Sequence, residues 1–201
     1  MNSIAADRLE RQIAFLIEID RLKGIVRRSY LIEEDRRENS AEHSWHVAMA
    51  AMALAEHADA PIDRERVMKM LLVHDVVEID AGDVPVYDVE ARAAKAREEA
   101  AAADRIFGLL PDDLEAEMRG LWDEFEAQES AEARFAKAVD RLLPLLHNAA
   151  GGGRTWKDLG VVEEQVREVN SVVEHGSVDL WSYVTSLLDR CVAEGLLPRR
   201  P

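Results

Sequence analysis

Residues 71 to 83 constrain this chain more than any other stretch. They read Leu71-Leu72-Val73-His74-Asp75-Val76-Val77-Glu78-Ile79-Asp80-Ala81-Gly82-Asp83, an apolar run with a His-Asp doublet inside it. On a helix, Glu78 falls at i+4 from His74 and i+3 from Asp75, so one face presents all three side chains to a common point. Gly82 allows a sharp exit, and Asp83 follows at once. An unpartnered buried carboxylate costs several kcal/mol, so charges in such a run require a counter-charge or a metal ion. The stretch reads as half of a metal site, and the other half must come from elsewhere in the chain.

Asp140 is one candidate for that other half. It stands among Phe135, Ala138, Val139, Leu142 and Leu143, with Pro144 four residues on. Pro144 has no N–H for the carbonyl of residue 140, and its ring bends the helix there. Arg141 is the alternative partner for Asp140, with no metal required. His43 and His46 lie three residues apart on similar faces of an Ala-rich helix. One of them would be a ligand and the other a packed or supporting residue, and spacing alone does not choose. Imidazole and carboxylate donors suit Mn, Co, Fe, Ni or Zn better than Ca, with Mg admissible. His57, His147 and His175 fall at helix ends, where a helix dipole accounts for them.

The remaining pattern is helical. Leu9, Ile13, Leu16, Ile17 and Leu22 repeat with helical spacing over 3–23. Residues 25 to 38 form a charged connection whose last part, Glu33 to Glu38, reads as a solvated loop. Asn39-Ser40-Ala41-Glu42 reads as a capping box for a helix over 40–58, and Asp63 as the N-cap of a helix over 63–79. Val84 to Asp88 reads as an irregular loop. Further helices are expected over 89–109, 111–127, 130–149, 156–174 (with Thr155 and Asp158 as caps) and 178–194. Gly151 to Gly153 breaks the chain between two of them. No run alternates as a strand would. The chain is therefore expected to be one all-α domain over 1–201, a bundle of about seven or eight helices.

Composition narrows the function classes. With 40 acidic residues against 25 basic, the net charge of −15 repels phosphate backbones and argues against nucleic-acid partners. The single cysteine, Cys191, forms no internal disulfide and suits a reducing compartment. It reads as a small buried residue. The charged opening, with Asp7, Arg8, Glu10 and Arg11, lacks a signal-peptide pattern, and no apolar run reaches the length of a membrane span. The expectation is a cytoplasmic protein without a membrane partner. The Ala-rich helices point to a homodimer.

The strings Glu38-Asn39-Ser40-Ala41-Glu42-His43-Ser44 and His74-Asp75-Val76-Val77-Glu78-Ile79-Asp80-Ala81-Gly82-Asp83, followed by Asp140, resemble the HD-domain metal-dependent phosphohydrolases, and in particular their 5′-nucleotidase branch. The resemblance spans about 25 to 150. It implies an HD-domain bundle and His43, His74, Asp75 and Asp140 as ligands of a divalent ion. It also implies hydrolysis of (deoxy)nucleoside 5′-monophosphates, with Glu78 and Asp83 sharing the acid–base work. Arg27 and Arg28 are the basic residues for the phosphate, and His46 becomes a supporting or substrate-side residue. The nearest aromatic to those arginines is Tyr30, where relatives often carry a Trp that packs on the sugar. Another small phosphoester, such as a nucleoside triphosphate or cyclic nucleotide, and a non-catalytic nucleotide sensor are the alternatives.

Overall fold

The computed structural model describes residues 3–83 and 89–200, so the loop expected over Val84 to Asp88 lies outside the described residues. Its elements are α1 (Ser3–Ile19), β1 (Val26–Tyr30), β2 (Arg37–Asn39), α2 (Ser40–Leu54), α3 (Arg64–Val73), α4 (Glu78–Ala81), α5 (Val89–Phe107), α6 (Asp112–Ala127), α7 (Ala131–Ala150), α8 (Arg154–Leu159), α9 (Glu163–Asn170) and α10 (Val178–Ala193). Eight of the described helices have seven or more residues, as an all-α bundle requires.

Local signals set most boundaries. Asn39 accepts from the Glu42 backbone while the Glu42 carboxylate accepts from the Asn39 N–H, a complete capping box at α2. Asp63 caps α3 through the Glu65 and Arg66 amides, and Ser130 caps α7 through Ala133. α7 is the central helix. Phe135, Ala136, Val139, Leu142, Leu143 and Leu145 are buried on it, and α2, α3, α6 and α10 pack around it. A second apolar cluster joins Phe15, Val76, Val77, Ile79, Ile106, Phe107 and Trp122. Val73 belongs to the first cluster and Val76 to the second, so His74 and Asp75 sit at the seam between them. Cys191 is buried, as expected.

Four departures from the sequence reading have physical causes. First, the charged connection contains an antiparallel hairpin, with Val26 opposite Asn39 and Tyr30 opposite Arg37. Arg27 and Ser29 turn inward with Glu38, whereas Val26 and Arg28 turn to solvent. The inward residues are charged or polar, so apolar alternation could not reveal the strands. Glu38 is buried at 1% exposure, which corrects its reading as part of a solvated loop. Second, the helix expected over 63–79 stops at Val73. Beyond it the amides of Val76, Glu78, Ile79 and Asp80 bond three residues back, to Val73, Asp75, Val76 and Val77. Third, the helix expected over 156–174 divides at Gly160, whose φ of +63° suits glycine. Thr155 donates to the Arg28 carbonyl instead of capping, and Asp158 accepts from Tyr30 Oη and Arg37. Fourth, Leu9, Ile13, Leu16 and Ile17 remain exposed on α1.

Arg154, beyond the glycine turn, bonds the carbonyls of Leu31, Ile32 and Glu34 and so fastens the hairpin tip to α8. Gly176, before α10, lies against α7. A Cβ there would meet the Arg134 carbonyl oxygen at 2.3 Å and its carbon at 2.6 Å. Backbone cannot yield as a flexible side chain does, so Gly176→Ala is expected to destabilise the fold by about 3 kcal/mol. Thermal or denaturant unfolding of the purified variant checks this, and an unchanged midpoint would contradict the close packing.

Candidate metal centre

The tight turn after α3 shapes the site. Bonds three residues back make side chains at i and i+3 eclipse. Asp75 and Glu78 therefore stack on one side, facing Arg27 from β1. Arg27 Nη1 donates to Asp75 Oδ2 at 2.6 Å and lies 3.9 Å from Glu78 Oε1. Ser40, at the start of α2, donates to Glu78 Oε2 at 2.6 Å. The capping box that begins α2 thus also places the hydroxyl that orients Glu78.

Three of the expected ligands, His43, His74 and Asp75, are buried and offer donor atoms within 4.8 Å of one another. Asp140 joins them, with Oδ1 3.0 Å from His43 Nε2 and 3.7 Å from His74 Nε2. His74 Nε2 is 3.0 Å from Asp75 Oδ1. His74 Nδ1 is 2.8 Å from the Leu71 carbonyl, an acceptor only, so Nδ1 carries a proton. In a neutral ring this directs the Nε2 lone pair at two carboxylate oxygens. Nε2 is also buried without a hydrogen-bond partner. That arrangement is repulsive unless a proton or a metal cation sits among the atoms, and two His with two Asp are donors that suit a first-row divalent ion. The residues fit such an ion.

Electrostatics agree. Burial opposes charge on Asp75, yet His74 and Arg27 hold its carboxyl below the usual range. Burial also opposes charge on Asp140, but Lys137, His43 and His74 hold it well below that range. Burial lowers the His74 imidazole, and Asp75 and Asp140 more than reverse it. Glu78 behaves oppositely: burial, then Asp75, push it up to about 8. One carboxyl in this group thus holds a proton near neutral pH while its neighbours do not.

Beside the cluster lies a cavity of about 500 Å³. Arg27, Arg28, His74, Asp75, Glu78, Asp83 and Asp140 border it, as do Lys95, Lys137 and Arg141. Lys137 Nζ is 3.0 Å from Asp140 Oδ2, whereas Arg141 Nε is 4.0 Å away. Lysine one turn before Asp140 was the sequence signal for this pair. His46 does not border the cavity. It stacks between Trp45 and His147, with ring centroids at 5.8 and 5.4 Å. His147 is buried, which corrects its reading as an ordinary helix-end histidine, and burial keeps its imidazole below the ordinary pKa. Glu38 was also missed. Its carboxylate reaches His43 Nδ1 at 3.4 Å and Arg27 Nε at 3.7 Å.

A helical bundle that closes a buried His/Asp cluster beneath a cation-lined cavity is the frame of a metal-centred phosphate-handling protein. A family model described as an HD domain matches residues 19–181, and the chain belongs to that family. Among curated relatives, the 5′-deoxynucleotidase HDDC2 of Danio rerio is 33% identical over 135 residues, 67% of this chain and 66% of that one. Its Homo sapiens counterpart is 34% identical over 130 residues, 64% of this chain and 62% of that one. The chain thus spans just under two thirds of these relatives' length. A solved structure described as a predicted metal-dependent phosphohydrolase from Magnetospirillum magnetotacticum MS-1 shares 49% identity, with a TM-score of 0.90 over 96% of this chain and 99% of that one.

Proposed function

We propose that this chain is a metal-dependent phosphomonoesterase that hydrolyses nucleoside 5′-monophosphates, ribo or deoxyribo, to nucleoside and phosphate. The observation that carries it is His74 Nε2, buried without a hydrogen-bond partner and facing oxygens of Asp75 and Asp140. The names of the HDDC2 relatives supply the substrate class, and the phosphohydrolase from Magnetospirillum supports the chemistry. His43, His74, Asp75 and Asp140 are the ligands in this reading.

His43, His74, Asp75 and Asp140 would hold a divalent ion whose chemistry would be to offset phosphate charge and to acidify water. In the reaction a water oxygen bonds to phosphorus and the bond from phosphorus to the 5′-oxygen breaks. Glu78 and Asp83 both border the cavity and divide the two proton transfers, one from the water and one to the leaving 5′-oxygen. Ser40 fixes the orientation of Glu78. Arg27, turned inward, meets the phosphate, with Arg28 at the cavity border and Lys137 adding charge to the same lining. His46 acts at a distance from the substrate, on the far side of Glu38 and His43.

The proposal includes a homodimer in the cytoplasm. Ile17 on α1 is 69% exposed, and Trp45, Met49 and Met52 form an exposed stripe at helical spacing on α2. Such apolar faces fit a second copy. No described helix is long and apolar enough to cross a membrane. The test is phosphate release from chelated protein resupplied with single divalent metals, across a panel of nucleoside mono-, di- and triphosphates and cyclic nucleotides in ribo and deoxy forms. Monophosphates are expected to be cleaved fastest. Faster release from triphosphates or cyclic nucleotides would replace this reading.

A further inference from the structure

Behind the centre already described, a second group of donors converges. Glu38 from β2, His46 from α2 and His147 from α7 each offer an atom, and these atoms lie within 4.8 Å of one another. No hydrogen bond satisfies Glu38 Oε2 or His147 Nδ1, although Glu38 is only 1% and His147 only 5% exposed. Glu38 Oε2 has only the long approach of His43 Nδ1 at 3.4 Å, and a buried imidazole nitrogen such as His147 Nδ1 without a hydrogen bond carries a desolvation cost that native structures rarely leave standing. Arg27 does not satisfy Glu38 Oε2. Its Nη1 serves Asp75 at 2.6 Å and lies 3.9 Å from Glu78, while its Nε stands 3.7 Å from Glu38 Oε2, too far for a hydrogen bond.

We infer that Glu38, His46 and His147 form a second divalent-metal site, specific for a first-row ion such as Zn²⁺ or Co²⁺. Two imidazoles and one carboxylate are a recurrent donor set for these ions, which leave further positions to water. Bonds of about 2.0–2.2 Å place donors roughly 3–3.5 Å apart, so donors already within 4.8 Å of one another need only small side-chain adjustments to close on an ion. Trp45, stacked on His46 at 5.8 Å, limits how far that ring swings. The site is separate from the cavity, since neither His46 nor His147 borders it. It is joined to the first centre through Glu38, whose Oε2 stands 3.4 Å from His43 Nδ1. An ion on Glu38 fixes the carboxylate against which His43 is oriented, so this site positions a residue of the first centre and touches no substrate.

The test is equilibrium dialysis of the chelated full-length protein against low-micromolar Zn²⁺, with metal per chain measured by elemental analysis. The arms are wild type, His74→Ala, His74→Ala with His147→Gln, and His46→Asn with His147→Gln. The His74→Ala arm is expected to keep one ion that disappears when His147→Gln is added. The double variant is expected to bind one ion fewer than wild type. In parallel, the imidazole nitrogen resonances of His46 and His147 in the folded wild type are expected to shift on Zn²⁺ addition. If a variant fails to fold, this second measurement decides alone. Unchanged metal content in the variants, or unmoved resonances, overturns the site. Because the readout is bound metal in a chain lacking His74, it is independent of whether nucleotides are cleaved.

Discussion

Replacing His74 or Asp75 with alanine is expected to strip the divalent ion from the first centre and to slow phosphate release by about a thousandfold or more. A metal contributes several kcal/mol to stabilising a phosphoryl transition state, and about 4 kcal/mol corresponds to ~10³ in rate. His74 packs on Phe125, and beyond that its polar atoms are committed to the centre. Its Nδ1 is tied to the Leu71 carbonyl, and its Nε2 meets only Asp75 and Asp140 oxygens. Asp75 differs, because Arg27 also leans on it at 2.6 Å. Asp75→Ala should therefore weaken nucleotide binding as well as turnover, whereas His74→Ala should act on turnover first. Phosphate release before and after chelation, with metal content measured on the same samples, checks both. Undiminished activity of exhaustively chelated wild type would remove the metal from the reaction.

Glu78→Gln is expected to retain the ion and the nucleotide but to lower kcat by about 10²–10⁴-fold, the usual range for a general acid or base. The amide keeps an acceptor for Ser40 and loses only the proton exchange. The same variant gives a stability readout in the metal-free protein. Folded Glu78 titrates at about 8 against an ordinary value of 4.5, so the folded chain holds a proton that the unfolded chain has released between those values. Stability from this group is complete below the ordinary value and is lost as pH rises through about 8. His74, also raised, changes in the same direction. Metal-free wild type should therefore lose melting temperature from about pH 5 to 9, and Glu78→Gln should lose less of it. Parallel pH profiles for the two proteins, or near-normal kcat, would take this role from Glu78.

Much of the candidate site was legible because the proposed ligands sit on local signals. The capping box marks where α2 begins and so puts His43 in its first turn, and charges within an apolar run mark His74, Asp75 and Glu78. Asp140 stood out for the same reason. Glu38 did not, because it ends a run of charges, and Lys137 did not, because a helical lysine ordinarily points to solvent; each becomes informative only when burial is known. The end of α3 at Val73 was hidden because no glycine or proline marks it. The turn is tightened by tertiary packing at the seam of two cores, which propensity does not encode. Helical spacing identified the apolar face of α1 but not whether this chain covers it.

The hairpin carries one last implication, for tolerance to change in length. Arg27 and Glu38 reach inward from opposite strands, and the segment between them is clasped at its tip by Arg154. Side chains alternate along a strand, so inserting one residue within β1 or β2 would turn Arg27 or Glu38 out to solvent and bring its neighbour in. An insertion between Glu33 and Asp35 lengthens an exposed turn and shifts the Glu34 carbonyl and Asp35 carboxylate that Arg154 holds, but leaves its bonds to the Leu31 and Ile32 carbonyls. Two places a few residues apart thus differ in evolutionary freedom: the tip keeps part of its clasp when its length varies, while the strands, which already shift register once between Val26 and Tyr30, set which side chains face the centre.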